Sequence, residues 1–98
     1  ISDANFENAC MVRAILREAY GNRTNFKNAV LTAAYLKGAR LPEADFTNSK
    51  LLATSFYKAD VSNADFTNAT FNATDFYKAD VSGAKGLKKG REHLLDFY

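Results

Sequence analysis

The sequence predicts a four-sided solenoid of stacked coils, and three observations support this prediction. Residues 45–64 and 65–84 are identical at 14 of 20 aligned positions, so the chain repeats with a period of twenty. A large apolar residue recurs every five positions from Phe46 to Val81, and Ala, Ser or Thr stands two positions before each one. A period of five fits neither a helix face nor a strand, whereas self-similarity at a fixed period is typical of stacked repeats.

The five-residue register extends back to the first residue. Its earlier centres are Ile1, Phe6, Met11, Leu16, Gly21, Phe26, Leu31, Leu36 and Leu41, and every centre from Phe6 onward has Ala or Thr two residues before it. Two positions in five are therefore expected to point inward, and the other three are mostly polar. We expect the chain to turn a corner every five residues and to close one coil in twenty.

The residues that stack at intervals of twenty form four columns. The first column holds Phe6, Phe26, Phe46 and Phe66; the second Met11, Leu31, Leu51 and Phe71; the third Leu16, Leu36, Phe56 and Phe76; the fourth Ile1, Gly21, Leu41, Val61 and Val81. Gly21 leaves the fourth column short of a side chain, so either a void lies there or Tyr20 or the backbone has collapsed inward. Asn8, Asn28, Asn48 and Asn68 form a ladder beside the first column, and stacked Asn side chains can hydrogen-bond along such a ladder.

A five-residue motif recurs in which a small residue is followed by Asp or Asn and then by a large apolar residue. It appears as Ala44-Asp45-Phe46, Ala59-Asp60-Val61, Ala64-Asp65-Phe66, Thr74-Asp75-Phe76 and Ala79-Asp80-Val81, and in looser form as Ala4-Asn5-Phe6 and Thr24-Asn25-Phe26. In this motif the chain resembles the pentapeptide-repeat family. The resemblance implies an all-β fold, a right-handed quadrilateral β-helix of about four coils of 20 residues. The first two coils depart from the motif at Cys10, Ile15, Tyr20, Val30, Tyr35 and Arg40, so their corners are expected to be less regular.

The pattern fades after Ala84, which divides the chain into a β-helix over residues 1–84 and a C-terminal segment over residues 85–98. That segment is predicted to be an exit loop and a short helix. Because eight residues are too few for a helix that is stable alone, its apolar residues must pack on another surface. We expect Leu94, Leu95, Phe97 and Tyr98 to cap the last coil, and the alternative is a dimer contact. Self-association through an open coil end is a further possibility.

Composition excludes several classes of protein. No run of apolar residues is long enough to span a membrane, and no targeting signal is visible. The chain begins at Ile1, which suggests a processed form or an excised piece. Cys10 is the single cysteine and His93 the single histidine, so neither an internal disulfide nor a second histidine to activate a hydroxyl is available. We expect no enzyme, no metal site and no cofactor.

Two surface columns are the strongest candidates for binding. Tyr57 and Tyr77 share one outward column, and Lys58 and Lys78 share the next. Exposed aromatic residues with basic neighbours are common at interfaces, so these four residues predict a protein-binding patch. The alternative is structural, because like residues also pair favourably across neighbouring strands.

The sequence therefore predicts a non-enzymatic scaffold or protein–protein interaction module. The alternative comes from the resemblance, because some members of the family imitate DNA and bind type II topoisomerases. Charge disfavours it. A stack of about 20 Å would need roughly eleven or twelve unpaired negative charges to match DNA, whereas residues 1–81 carry nine basic and nine acidic groups. Direct binding of nucleic acid is also disfavoured, because no face is clearly basic.

Overall fold

The computed structural model describes residues 1–87, which form a right-handed, four-sided β-helix. Coils 1 to 4 comprise residues 1–20, 21–40, 41–60 and 61–80. Strand β1 (Lys50–Leu52) pairs in parallel with strand β2 (Thr70–Asn72), with Lys50 opposite Thr70. Elsewhere single parallel bridges join residues twenty apart, from Asn5 with Asn25 to Asp65 with Lys85. The predicted period of twenty is thus confirmed as the register of the stacked coils.

Each side of a coil ends in a β-turn. The small residue of the motif donates its N–H to the carbonyl of the preceding centre, as from Ala59 to Phe56 at 2.8 Å. The residue two after the centre has a positive φ, and fifteen non-glycine residues adopt values between 56° and 65° there. Asn tolerates this conformation well, which explains the column that begins at Asn8. The side-chain hydrogen bonds that Asn accepts within residues 1–87 are instead at the motif's polar position, as at Asn5 and Asn25.

The corners of coils 1 and 2 are as regular as those of coils 3 and 4. Arg13 and Glu18 have φ values of 60° and 58°, and Lys58 and Lys78 have values of 58° and 60°. The expectation of less regular corners is therefore wrong. Backbone hydrogen bonds between coils impose the geometry, such as the bond from the Met11 N–H to the Val30 carbonyl at 2.7 Å, and they do not depend on the side chain at the motif's polar position.

The core is a stack of inward-pointing side chains, as predicted. Phe46 is fully buried between Phe26 and Phe66, with ring centroids 4.9 Å apart on either side and nearly parallel planes. A second stack joins Phe56 to Phe76 at 5.0 Å, and Phe56 meets Phe46 edge-on at 5.5 Å. Parallel-offset and edge-on contacts are the arrangements that aromatic rings prefer.

Gly21 is buried, and no void lies beside it. A Cβ atom at this position would lie 2.6 Å from Cγ1 of Ile1 and 2.5 Å from Oγ1 of Thr24. The Thr24 hydroxyl donates to the Ile1 carbonyl at 2.9 Å, which holds both residues over the glycine. The sequence left two explanations open, and the one that placed a void beside Gly21 is wrong. The space is filled by Ile1 and Thr24, whereas Tyr20 points outward.

The last described residues follow Ala84. Lys85 bridges Asp65 in the register of the coils, and Gly86 has a φ of 83°. A side chain at Gly86 would collide with the backbone of Phe66, while Leu87 packs against the core. The residues predicted to form a cap or a dimer contact, namely Leu94, Leu95, Phe97 and Tyr98, lie outside the described residues.

Candidate functional site

The corner between the third and fourth columns holds the predicted binding residues, and we call it the Tyr–Lys corner. It consists of Ile15, Arg17, Glu18 and Tyr20 in coil 1; Tyr35, Lys37, Gly38 and Arg40 in coil 2; Ser55, Tyr57, Lys58 and Asp60 in coil 3; and Asp75, Tyr77, Lys78 and Asp80 in coil 4. Neighbouring coils are about 4.8 Å apart, so these residues form a continuous strip. Its upper half belongs to coils 1 and 2 and its lower half to coils 3 and 4.

In the lower half the structure brings the four predicted residues together. The rings of Tyr57 and Tyr77 stack with centroids 5.8 Å apart and an angle of 5° between planes. Nζ of Lys58 lies 5.2 Å from the Tyr57 centroid, and Nζ of Lys78 lies 5.5 Å from the Tyr77 centroid. Lys37 of coil 2 joins them, 5.5 Å above the Tyr57 ring. The stacking therefore produces one aromatic surface bordered by three cations.

No cation of this corner forms an ion pair with a carboxylate of residues 1–87. Within residues 1–87 the one ion pair, from Nε of Arg23 to Oδ1 of Asp3 at 3.0 Å, lies at a different corner. Cation–π contacts at exposed sites contribute about 0.5–1 kcal/mol each and leave the positive charge in place. The ring of Tyr77 is 48% exposed, and Lys58 and Lys78 are exposed as well. The positive charge thus remains accessible from solvent.

The aspartates of the lower half support the backbone. Oδ1 of Asp75 accepts from the Tyr77 N–H at 2.8 Å, and Oδ1 of Asp80 accepts from the Ser82 N–H at 3.0 Å. The Ser82 hydroxyl and N–H both donate to Asp80 and lower the pKa of that carboxyl. Asp at this motif position thus binds nearby backbone amides, as Asp commonly does in turns. No group of three or more His, Cys, Asp or Glu in residues 1–87 is placed to hold a metal ion.

The upper half contains exposed apolar residues that the sequence analysis noted only as departures from the motif. The side chain of Ile15 is 75% exposed, that of Tyr20 62% and that of Tyr35 38%. They occupy the position that holds Ser55, Asp60 and Asp75 in the lower half. Their departure from Asp or Asn was the available sequence signal, but only the structure shows that the apolar side chains point outward.

A shallow groove crosses the upper half. It is lined by Glu18, Tyr20, Gly38 and Arg40. Tyr20 and Arg40 are bridged neighbours on successive coils, and Gly38 leaves the column between Glu18 and Lys58 without a side chain. Within the described residues, Arg40 takes part in no ion pair. The groove thus combines an aromatic wall, an open floor and a guanidinium group that forms no ion pair in residues 1–87, with Glu18 on the lining and Asp60 as the bridged neighbour of Arg40.

Cys10, one of the two residues considered for catalysis, lies apart from this corner. Cys10 is exposed on another side of coil 1, and His93 lies outside the described residues. The part of the chain that the structure describes contains no helix long and apolar enough to cross a membrane.

Comparison with known proteins agrees with the architecture. The β-helix is similar to a pentapeptide-repeat protein from the Arabidopsis thaliana thylakoid lumen, with a TM-score of 0.62, 24% identity, and coverage of 85% of this chain and 58% of that one. It is also similar to HetL, a pentapeptide-repeat protein involved in heterocyst differentiation regulation in the cyanobacterium Nostoc, with a TM-score of 0.66, 20% identity, and coverage of 86% and 48%. The chain therefore spans about half of these structures' length. No curated protein matches the sequence significantly.

A family model described as pentapeptide repeats (8 copies) matches residues 1–36, 29–68 and 53–85. These ranges cover nearly all of the described β-helix and coincide with its stacked coils. The chain belongs to the pentapeptide-repeat family.

Proposed function

We propose that the protein is a non-enzymatic β-helical interaction module that docks a protein partner through the Tyr–Lys corner. The contact residues would be Tyr57, Lys58, Tyr77 and Lys78. The observation that carries the proposal is the stacked tyrosine pair, with three ammonium groups within 5.5 Å of its ring centroids and no carboxylate paired to them in residues 1–87.

The chemistry of this surface suits protein recognition. Tyrosine supplies a large contact area, and its two side-chain torsions lose little entropy on binding. Because the two rings already stack on each other, they lose less side-chain entropy when a partner binds. The β-helix beneath is tied together by backbone hydrogen bonds at nearly every side, such as that from Lys58 N–H to the Tyr77 carbonyl at 3.0 Å. A preorganised surface of this kind favours binding over chemistry.

The alternative, a DNA-mimicking modulator of a type II topoisomerase, has less support. Mimicry needs roughly one negative charge per 1.7 Å on one continuous face. The fourth face and its corner carry the densest carboxylates, namely Asp3, Glu43, Asp60 and Asp80, and they are interrupted by Arg23 and Arg40. Four carboxylates and two cations give that face a net charge of −2. This is far from the charge density of a duplex.

The test is a pull-down with the wild-type chain and with Tyr57→Ser combined with Tyr77→Ser. The matched control combines Leu52→Ser with Asn72→Ser, which changes the same motif position in the same two coils at a neighbouring corner. We expect proteins captured by the wild type to be lost with the tyrosine variant and retained with the control. Circular dichroism confirms that each variant is folded. Equal capture by all three proteins would contradict the proposal.

A supercoiling assay with a purified type II topoisomerase tests the alternative. We expect no effect of the wild-type protein on the enzyme at micromolar concentration. Inhibition or protection of the enzyme that survives the tyrosine substitutions would favour the mimic.

A further inference from the structure

We propose that the upper half of the Tyr–Lys corner binds an extended acidic segment of a partner protein. An apolar side chain of that segment would occupy the groove beside Tyr20, and a carboxylate would pair with Arg40. The inference rests on the proposed function as an interaction module. It adds a second contact area, formed by coils 1 and 2, and the chemical class of its ligand.

The first supporting observation is that apolar side chains are exposed where the fold does not need them. Ile15 and Tyr20 stand at the motif position where Asp75 and Asp80 accept hydrogen bonds from the backbone. Nevertheless, the corners of coils 1 and 2 keep the same φ values and the same backbone hydrogen bonds. The apolar residues therefore forgo a capping hydrogen bond and add no burial to the core, since Ile15 is 75% exposed. Binding a partner would account for both.

The second observation is the glycine that forms the groove. Gly38 has a φ of 69°, but the same corner position accommodates Glu18 at 58° and Lys58 at 58° in the neighbouring coils. Backbone conformation thus does not require glycine here. A Cβ atom at Gly38 would meet only Cγ of Glu18, at 3.3 Å, so space does not require it either. The consequence of this glycine is an open floor between Tyr20 and Arg40.

The third observation is charge, which selects an acidic ligand. The upper half carries Arg17, Lys37 and Arg40 against Glu18, three cations and one carboxylate, for a net charge of +2. The lower half carries Lys58 and Lys78 against three aspartates, for a net charge of −1. Arg40 forms no ion pair within residues 1–87, and a guanidinium group binds a carboxylate through two parallel hydrogen bonds.

The shape of the strip favours a peptide segment over a second copy or a nucleic acid. The whole strip is about 19 Å tall, and the groove occupies only its upper half, so it suits a short segment better than the ~800 Å² that each partner of a standard interface buries. Nucleic-acid surfaces are more uniformly basic, whereas here a carboxylate and a 75% exposed isoleucine lie among the cations. An extended segment with alternating acidic and apolar side chains matches this pattern.

The experiment is an NMR titration of the folded, isotope-labelled chain with three synthetic peptides. The first peptide alternates glutamate with phenylalanine, the second has serine in place of phenylalanine, and the third has lysine in place of glutamate. We expect the first to shift the backbone amides of Tyr20, Gly38 and Arg40, and to bind at least about tenfold more tightly than the other two. Chemical shifts also show directly whether each variant is folded.

Variants then locate the binding energy. Gly38→Gln fills the groove with an uncharged side chain, and Arg40→Gln removes the guanidinium group. Each is expected to weaken binding of the first peptide by about tenfold or more, and Arg40→Lys to recover only part of that loss. Lys27→Gln is the matched control, because it removes one exposed positive charge from another face of coil 2. It is expected to change binding by less than about twofold.

Several outcomes would overturn the inference. The serine or lysine peptide could bind as tightly as the first peptide. Lys27→Gln could lose as much affinity for the first peptide as Arg40→Gln does. The amide shifts caused by the first peptide could be confined to Tyr57 and Tyr77. Tighter binding of a thymidine oligonucleotide at the same amides would assign the site to nucleic acid. Concentration-dependent dimerisation abolished by Gly38→Gln would assign it to a second copy. If Gly38→Gln and Arg40→Gln bind the first peptide as tightly as the wild type, while the Tyr57→Ser, Tyr77→Ser variant loses the proteins captured in the pull-down, the inference fails and the proposed function stands.

Discussion

Coils 1–2 and coils 3–4 share one backbone and present different surfaces. Both halves have the same corner φ values, the same hydrogen bonds between coils and the same inward columns. They differ at the outward position just before each centre. In coils 3 and 4 that position holds mostly Asp, which accepts from the next turn's N–H. In coils 1 and 2, Asn5 and Asn25 accept in the same way, whereas the other positions hold Cys10, Ile15, Tyr20, Val30, Tyr35 and Arg40.

The difference shows which part of the motif determines the fold. The large centre and the small residue before it are retained throughout both halves, apart from Gly21, because they fill the interior. The polar residue is dispensable, because backbone hydrogen bonds hold the turn without its side chain. Positions released from a structural role are available for binding, and in the upper half of the Tyr–Lys corner they carry exposed apolar and basic groups.

The largest expected effect is a break in the shared core. Phe46→Ala should lower the free energy of unfolding by about 3–5 kcal/mol, because it empties a fully buried site between two stacked rings. Phe6→Ala in coil 1 should cost clearly less, because Phe6 is only partly buried and has one stacking neighbour, Phe26. Urea denaturation of both variants measures the difference. Equal losses of unfolding free energy in the two variants would contradict the difference in burial between Phe46 and Phe6.

The next effect concerns the two glycines of coil 2. Gly21→Leu should destabilise the chain by about 1–3 kcal/mol, since Ile1 and Thr24 already occupy the space that the new side chain would need. Gly38→Ala serves as the control, because its Cβ meets only a flexible glutamate side chain. Thermal melts of the two variants compare a filled interior site with an open surface site. A rise in melting temperature for Gly21→Leu would contradict this and indicate a void beside Gly21.

A reciprocal exchange tests the value of the polar position. Ile15→Asp gives coil 1 the capping residue of coil 4 and should stabilise the chain by about 0.5–1.5 kcal/mol, the usual net contribution of a hydrogen bond. Asp75→Ile should cost a similar amount, because the Tyr77 N–H loses the acceptor that now lies at 2.8 Å. Chemical denaturation of the single variants and of the double exchange checks the expectation. If Ile15→Asp is destabilising, the isoleucine has a structural role and is not reserved for binding.

The smallest effect is a response to acid at two carboxylates of coil 4, Asp65 and Asp80. Hydrogen bonds from the hydroxyl and N–H of Thr67 lower the pKa of Asp65, and those of Ser82 lower the pKa of Asp80. A pKa lowered by folding adds stability that is fully present above the unfolded value of about 3.8 and is lost as the pH falls through the folded pKa. The corresponding caps in coils 1 and 2, Asn5 and Asn25, do not titrate in this range.

Amide chemical shifts followed by NMR from pH 6 to pH 2 test this contrast. The amides of Thr67 and Ser82 should move with midpoints below 3.8. The amides of Glu7 and Lys27 donate to Asn5 and Asn25. Because an Asn side chain does not titrate in this range, these amides should show no shift from titration of their acceptors. Replacing Asp65 and Asp80 by Asn should flatten the loss of stability in acid. An unchanged acid profile in that double variant would remove these two carboxylates as its cause.

The sequence by itself determined the architecture of this protein. Two inward residues in every five, repeated in step from Phe6 to Val81, can all be buried only if the chain turns at regular intervals and stacks on itself. The stacking then places residues twenty apart side by side, so the grouping of Tyr57 with Tyr77 and Lys58 with Lys78 followed from numbering alone.

Only the tertiary structure decided what fills the place beside Gly21 and what the upper half of the Tyr–Lys corner offers. Ile1 and Thr24 close over Gly21 through a hydrogen bond between successive coils, of the kind that Thr54 and Thr74 form with the carbonyls of Leu31 and Leu51. The exposure of Ile15 and the groove at Gly38 depend equally on which neighbours lie above and below each corner. A periodic pattern reports which direction a side chain points, whereas burial, space and uncompensated charge depend on the residues that stacking brings next to it.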